Sequence, residues 1–365
     1  MYVNKLALRN YRNYEKAEID FSHGINILYG DNAQGKTNIL EALYMAATTK
    51  SHRNSRDKEI IKFEEDEAHI RLSVEKRNIE SRIDMHLRKN ANKGAAIDGI
   101  PIRKAAELFG MINIIFFSPE DLSIIKDGPN ERRKFMDNSL CQLSRIYYSN
   151  LSNYNKVLTQ RNNLLKNIYY DKSLADTLDI WDDQLVLYGE KIIRERRNFL
   201  QMMNDIIRDI HSELTGGREE IELRYEASVL EYEYEKDLKK KKDTDLKYQS
   251  TQIGPHRDDI GIFINGKDVR SFGSQGQQRT AALSLKLSEI ELVKKVINDN
   301  PILLLDDVMS ELDSKRRDAL LGKVKGIQCI ITCTGYDDFI RERVSIDKIF
   351  KVENGNCECV ESIAD

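Results

Sequence analysis

Proline is scarce in this chain of 365 residues: Pro101, Pro119, Pro129, Pro255 and Pro301 are the five, and none interrupts residues 130 to 254. Helices are free to run there, because the residue that removes a backbone donor and blocks the preceding turn is missing. Cys141, Cys329, Cys333, Cys357 and Cys359 are odd in number and form no C-x-x-C pair, so neither a disulfide framework nor a zinc site is indicated. No apolar run approaches the roughly 18 residues that span a bilayer. The N-terminus Met1-Tyr2-Val3-Asn4-Lys5 enters an alternating strand pattern with no signal-peptide core. The expectation is a soluble, cytoplasmic protein with no membrane partner. Net charge is also lacking, since 57 basic and 60 acidic residues leave −3. Any nucleic-acid binding must therefore come from a local patch.

What the chain does have is a hydrophobic fraction of 40%, enough for a core, and one strong motif. Gly30-Asp31-Asn32-Ala33-Gln34-Gly35-Lys36-Thr37 fits the phosphate-loop pattern G-x-x-x-x-G-K-[ST] without a mismatch. Glycines let backbone N–H groups turn onto phosphates, Lys36 places a charge between the outer two, and the Thr37 hydroxyl can ligate Mg²⁺. Residues 24–29 read as a buried strand entering the loop, and Ile39, Leu40, Leu43, Tyr44 and Ala47 recur at helical spacing after it. Strand, loop and helix stand in the order that a nucleoside-triphosphate site needs.

The flanking chain reads as an α/β body interrupted by helices. Alternation from Ala68 to Met85 and the turn signal Asp98-Gly99 argue for antiparallel strands with one wet face. Lys76, Arg77, Arg82, Arg88, Lys89, Lys93, Arg103 and Lys104 stand there with few balancing acids, a first candidate DNA surface; the basic stretch of residues 50–58, with Arg53, is the second. From Met136 to Ile210 apolar residues keep a three-and-four spacing, which predicts at least two long helices. Strands return after Pro255, with Asn265-Gly266 as another hairpin signal. Residues 1–120 and 248–365 are thus expected to form one body, and residues 121–247 a helical insert.

Pro301-Ile302-Leu303-Leu304-Leu305 ends in Asp306 and Asp307. A phosphate loop needs such a strand end: Asp306 is placed for the metal, and Asp307 for orienting the attacking water. Ser274-Gln275-Gly276-Gln277-Gln278-Arg279 precedes an amphipathic helix, where an N-cap and N–H groups would meet an anion. Ser310-Glu311-Leu312-Asp313 follows the paired carboxylates, and Gly254-Pro255-His256-Arg257-Asp258-Asp259 gathers ionisable groups at a turn.

Taken with Leu8-Arg9-Asn10-Tyr11-Arg12-Asn13-Tyr14, Lys50-Ser51-His52-Arg53, Phe117-Ser118-Pro119-Glu120-Asp121-Leu122 and Gly128-Pro129 with Arg132-Arg133, these stretches resemble the RecF family, related to SMC and ABC-type ATPases, over nearly the whole chain. The resemblance implies an ABC-type P-loop ATPase core, a mixed sheet with helices and an antiparallel sub-sheet, carrying a helical insert. It implies that Ser274 and Gly276 belong to a signature motif closing on the γ-phosphate of ATP held by a second copy, with Asp313 in the loop across that interface and Arg12, Asn13 and Asn32 near the nucleotide. Catalytic roles fall to Lys36, Asp307 and Ser274. ABC-type relatives usually carry Glu where Asp307 stands and His at the segment Thr332-Cys333-Thr334, so slow turnover is expected. By the same resemblance the protein would be a weak DNA-stimulated ATPase that dimerises on ATP-Mg²⁺, binds single-stranded, gapped or junction DNA, and loads RecA with RecO and RecR.

Three rivals stand beside this reading. An SMC-like or RecN-like repair ATPase needs heptads sustained well past those seen here. A P-loop kinase for a small metabolite leaves the Ser274 stretch and Asp313 unexplained. A non-hydrolysing ATP-gated clamp would release no phosphate over repeated turnovers.

Overall fold

The computed structural model describes residues 1–53, 55–335 and 345–362; Asn54, inside the basic stretch 50–58, lies outside the described residues. The chain divides into two compact units, Met1–Asp121 with Glu289–Asp365, and Leu122–Ser288.

The first unit holds two six-stranded sheets. One runs Tyr14–Asp20, Tyr2–Tyr11, Glu67–Lys76, Ile79–Arg88, Gly94–Ile97, Ile100–Pro101 in spatial order, and every neighbouring pair is antiparallel. Its alternation is the expected one: Ala68, Ile70, Leu72 and Val74 turn inward and are almost wholly buried. Asp98 and Gly99, both at positive φ (52° and 82°), close the last hairpin, a backbone that short polar residues and glycine tolerate.

The other sheet runs Asn356–Ser362, Lys348–Glu353, Ile25–Tyr29, Cys329–Cys333, Ile302–Asp306, Ile114–Phe117. All its pairs are parallel except the terminal hairpin. Ile302, Leu303, Leu304 and Leu305 have no exposed surface, as a parallel strand covered on both faces requires. The helix Lys36–Thr48 buries 11 of its 13 residues. It shares one apolar cluster with Leu6, Ile70 and Ile83 of the antiparallel sheet and with Leu28, Leu304 and Ile330 of the parallel one. A helix apolar on all sides is stable only when enclosed in this way.

The second unit carries the helices Pro129–Leu143, Arg145–Tyr170 and Leu178–Thr215. The break between the first two falls at Ser144, whose side chain accepts from the Tyr147 N–H at 3.1 Å and caps the second. The expected return to the ATPase body at residue 248 is corrected. The strand Asp259–Ile264 pairs with Ile221–Glu226 of the helical unit, and Asn265-Gly266 turns it into Lys267–Asp268, so the chain leaves that unit only inside the helix Gln275–Ile297. Among the described residues no helix is long and apolar enough to cross a membrane.

Candidate functional site

Parallel register brings the sequence-predicted groups to one edge of the second sheet. Asp306 lies opposite Thr332, and Thr332 opposite Leu28, so the acidic strand end and the strand feeding the loop finish side by side across Cys329–Cys333. Carboxyl ends of parallel strands are where ligands sit in such sheets.

The loop is braced from outside. Gly30, at φ 152°, faces the Val352 carbonyl so closely that a Cβ would stand 2.2 Å from its oxygen. Gly35, at φ 118°, would place a Cβ 2.6 Å from the Asn13 amide and 2.7 Å from the Tyr14 hydroxyl. Only glycine fits at these two positions. The Gln34 side chain accepts from the Asn354 N–H at 2.6 Å. Asp31, Asn32 and Ala33 form the exposed crest of the loop.

Lys36 is buried, and its ammonium donates to the carbonyls of Gly30 (2.6 Å) and Asp31 (2.8 Å). Burial holds its pKa below the ordinary lysine value, against the pull of Asp307, Cys333 and Asp306. Asp306 Oδ1 accepts from the hydroxyls of Thr37 (2.9 Å) and Thr332 (2.8 Å). Burial raises this carboxyl above its usual value, while the two hydroxyls and the charge of Arg53 oppose the shift. Asp307 follows at φ 53°, a left-handed conformation that Asp tolerates better than most residues. Its N–H donates to Thr332 Oγ1 at 3.0 Å, and Ser310 Oγ donates to its carbonyl at 2.8 Å. Thr332 thus holds the Asp306 carboxylate and the Asp307 backbone, a role that sequence reasoning missed.

Arg12, Asn13 and Asp313 all make hydrogen bonds within the chain. Arg12 makes a two-point pair with buried Glu41 (2.8 and 2.7 Å) and donates to the Glu59 carbonyl (2.9 Å) and Ser55 Oγ (2.8 Å). Burial pushes Glu41 up, but the Arg12 guanidinium and the Ser51 hydroxyl, donating at 2.5 Å, outweigh it and hold the carboxyl below its usual value. Arg12 therefore ties the helix after the loop to residues 55–59. Asn13 donates to the Gln34 carbonyl and accepts from the Asn38 amide, both at 2.8 Å, which makes it a brace of the loop. Asp313 caps the helix Ser314–Val324 through the Arg316 N–H at 2.9 Å and pairs with the Arg316 guanidinium.

The Ser274 stretch opens its helix with a capping box: Ser274 Oγ accepts from the Gln277 N–H (3.2 Å) while Gln277 Oε1 accepts from the Ser274 N–H (2.9 Å). A Cβ on Gly276 would meet nothing nearer than Ser274 Oγ at 3.8 Å. Ser274 and Gly276 are exposed.

The expectation of few balancing acids around the first basic patch is corrected. Arg82 and Arg71 both pair with Asp84 at 2.7 Å, Lys93 pairs with Asp57 at 3.0 Å, and Arg88 donates to the Asn92 carbonyl. Asp84 stands two residues from Arg82 on one strand and directly across the ladder from Arg71, and Asp57 comes from the helix Asp57–Ile60. Arg53 is exposed, as are Arg82 and Arg88.

Residues 2–358 match the model of the family described as RecF/RecN/SMC N terminal domain. The DNA replication and repair protein RecF of Lachnoclostridium phytofermentans is 59% identical over 358 residues, spanning 98% of this chain and 99% of that protein. RecF of Clostridium perfringens is 44% identical over 364 residues, 98% of this chain and all of that protein. A solved structure of the recombination mediator protein RecF with ATP, in the RecFOR pathway, superposes with a TM-score of 0.92 at 38% identity, covering 99% of this chain and 98% of that one. The Smc head domain of Pyrococcus furiosus shares the fold, with a TM-score of 0.57 at 16% identity over 99% of this chain and 96% of that one.

Proposed function

This chain belongs to the RecF family of ABC-type ATPases, and from that premise we propose that it binds ATP and Mg²⁺, dimerises on ATP and in that state holds single-stranded, gapped or junction DNA. It would act with RecO and RecR to load RecA in gap repair, replication restart and SOS induction. Hydrolysis, weakly stimulated by DNA, would be slow and would release the dimer.

The observation that carries this reading is the convergence of Lys36, Thr37, Asp306 and Asp307 at neighbouring strand ends. The relative solved with ATP supports the choice of nucleotide. Thr37 and Asp306 suit Mg²⁺, since both offer oxygen, their oxygens lie 2.9 Å apart, and hard cations take oxygen ligands. When bound, Mg²⁺ supplies positive charge to the outer phosphate oxygens. Lys36 adds its own charge beside them, and Asp307, set by Thr332 and Ser310, orients the water.

Gly276 supports a site shared between two copies. Neither backbone conformation nor packing within its own chain requires glycine there, whereas a phosphate approaching the helix start from a second copy does. Ser274 would offer its hydroxyl to the same group, and Asp313 would line that interface.

DNA binding measured with and without ATP-Mg²⁺ at several salt concentrations tests the proposal. Wild type should bind gapped DNA tightly only with ATP, and Lys36→Ala should lose that dependence. Arg53→Ala should flatten the slope of log affinity against log salt by about one, the contribution of one phosphate contact; the same change at Arg82 or Arg88 places the contact on the sub-sheet instead. Binding that ignores both ATP and salt would overturn the reading.

A further inference from the structure

The wet face of the antiparallel sheet carries a cluster that the nucleotide site does not use. His69 and His86 are direct cross-strand partners. Both point outward, because their neighbours Ala68, Ile70, Met85 and Leu87 face the core. Their rings stack with centroids 4.2 Å apart and planes 19° from parallel. Glu67, two residues before His69 and so on the same face, reaches both: its carboxylate lies 2.8 Å from His86 Nε2 and 3.6 Å from His69 Nε2. One ligand atom from each of the three lies within 4.8 Å of the others.

We propose that Glu67, His69 and His86 form a binding site for a divalent transition metal of the Zn²⁺ class, with a fourth position left to water. Bonds of about 2.0–2.2 Å in a tetrahedral site put ligand atoms roughly 3.3–3.5 Å apart, and the two contacts to Glu67 bracket that spacing. Small rotations of exposed side chains bring the remaining pair within range. Two imidazoles and one carboxylate select Zn²⁺, Co²⁺, Ni²⁺ or Cu²⁺ over Mg²⁺, which takes oxygen. Mg²⁺ would therefore not compete for this site. Sheet geometry supplies what a metal site needs: three ligands on two paired strands, their backbones fixed by the ladder. A metal there clamps Glu67–Lys76 to Ile79–Arg88. His69 and His86 also line a concavity of about 950 Å³, together with Arg9, Lys16, Arg71, Glu18 and Asp84.

Co²⁺ is the probe, titrated into the full-length protein with ATP and Mg²⁺ saturating, so that the oxygen-lined site is already filled. Wild type should take up one equivalent, with a visible absorption band typical of four-coordinate Co²⁺ and no thiolate charge-transfer band. His69→Ala/His86→Ala should abolish that uptake, and Glu67→Gln should weaken it about tenfold or more. Zn²⁺ should raise the melting temperature of wild type and leave the double variant unmoved. Circular dichroism checks that the exposed substitutions leave the sheet intact. Co²⁺ uptake that survives in the double variant, a thiolate band, or wild-type affinity no better than that of the double variant would each overturn the site.

Discussion

Asp306 and Asp307 are adjacent in sequence and differ in every structural respect that matters. Asp306 ends its strand partly buried, with two hydroxyls on one oxygen. Asp307 turns away in a left-handed conformation and is tied down through its backbone. Asp306→Asn should weaken Mg²⁺-dependent ATP binding itself, whereas Asp307→Asn should keep ATP binding and lose phosphate release by about 10²-fold or more, the usual loss for a residue orienting the nucleophile. Fluorescent-ATP titration and multiple-turnover phosphate release separate the two, and like behaviour of both variants would refute the division of roles.

His52 gives a second test at this scale. It stacks on Phe116 with centroids 4.1 Å apart, and burial pushes its pKa from 6.5 down to about 4. The unfolded chain then takes up the proton first as pH falls, so this contribution to stability is fully present above about 6.5 and fades toward about 4. Wild type should lose stability between pH 7 and 5 in urea titrations. His52→Phe, which keeps the stacked ring, should lose less.

The residues that could be read from sequence are those fixed by local spacing: Lys36 and Thr37 by the loop, Asp306 by its apolar strand. Glu41 and Thr332 could not be read. Glu41 sits on the helix among Ile39, Leu40 and Leu43, and its meaning depends on Arg12, 29 residues earlier. Thr332 matters only because register sets it opposite Asp306.

Among the elements, the helix Leu178–Thr215 shows where periodicity stops being informative. Three-and-four spacing puts Trp181, Leu185, Tyr188 and Ile192 on one apolar stripe, yet Asp182, Gly189 and Arg196 share the buried face while Trp181 and Tyr188 are only half-buried. The charges are paired within the helical unit. Arg161, with no exposed surface, donates to Asp182 (2.5 Å), Asp245 (2.7 Å) and Thr251 (2.8 Å). Arg161→Met leaves two carboxylates buried without their cation and should cost about 3–5 kcal/mol, read as a lowered urea midpoint. A loss below about 1 kcal/mol would show these carboxylates to be solvated or protonated. The hairpin at residues 259–268 teaches the same lesson: its turn was legible in Asn265-Gly266, but its partner strand lies more than thirty residues earlier, and pairing alone decides its unit.

At the scale of the whole molecule, the residues of the proposed catalytic sites are divided between the two units of the chain. The loop, Asp306 and Asp307 sit in the first unit, and Ser274 with Gly276 opens a helix from the second. Among the described residues no helix exceeds 38 residues and none forms an arm of the SMC kind. In the proposed reading the exposed signature helix meets a second copy of the chain, with ATP between the two.

The most direct measurement is the molar mass in solution, by size exclusion with light scattering, with and without ATP-Mg²⁺. Wild type should move from monomer to dimer on ATP. Ser274→Arg, which puts a bulky cation where the partner's γ-phosphate would lie, should bind ATP almost normally as a monomer and fail to dimerise. Mixed with Lys36→Ala it should recover part of the dimer and of the phosphate release, because one composite site then joins an intact loop to an intact signature while the other stays doubly broken. An ATP-induced dimer formed at wild-type level by Ser274→Arg alone would contradict the shared site.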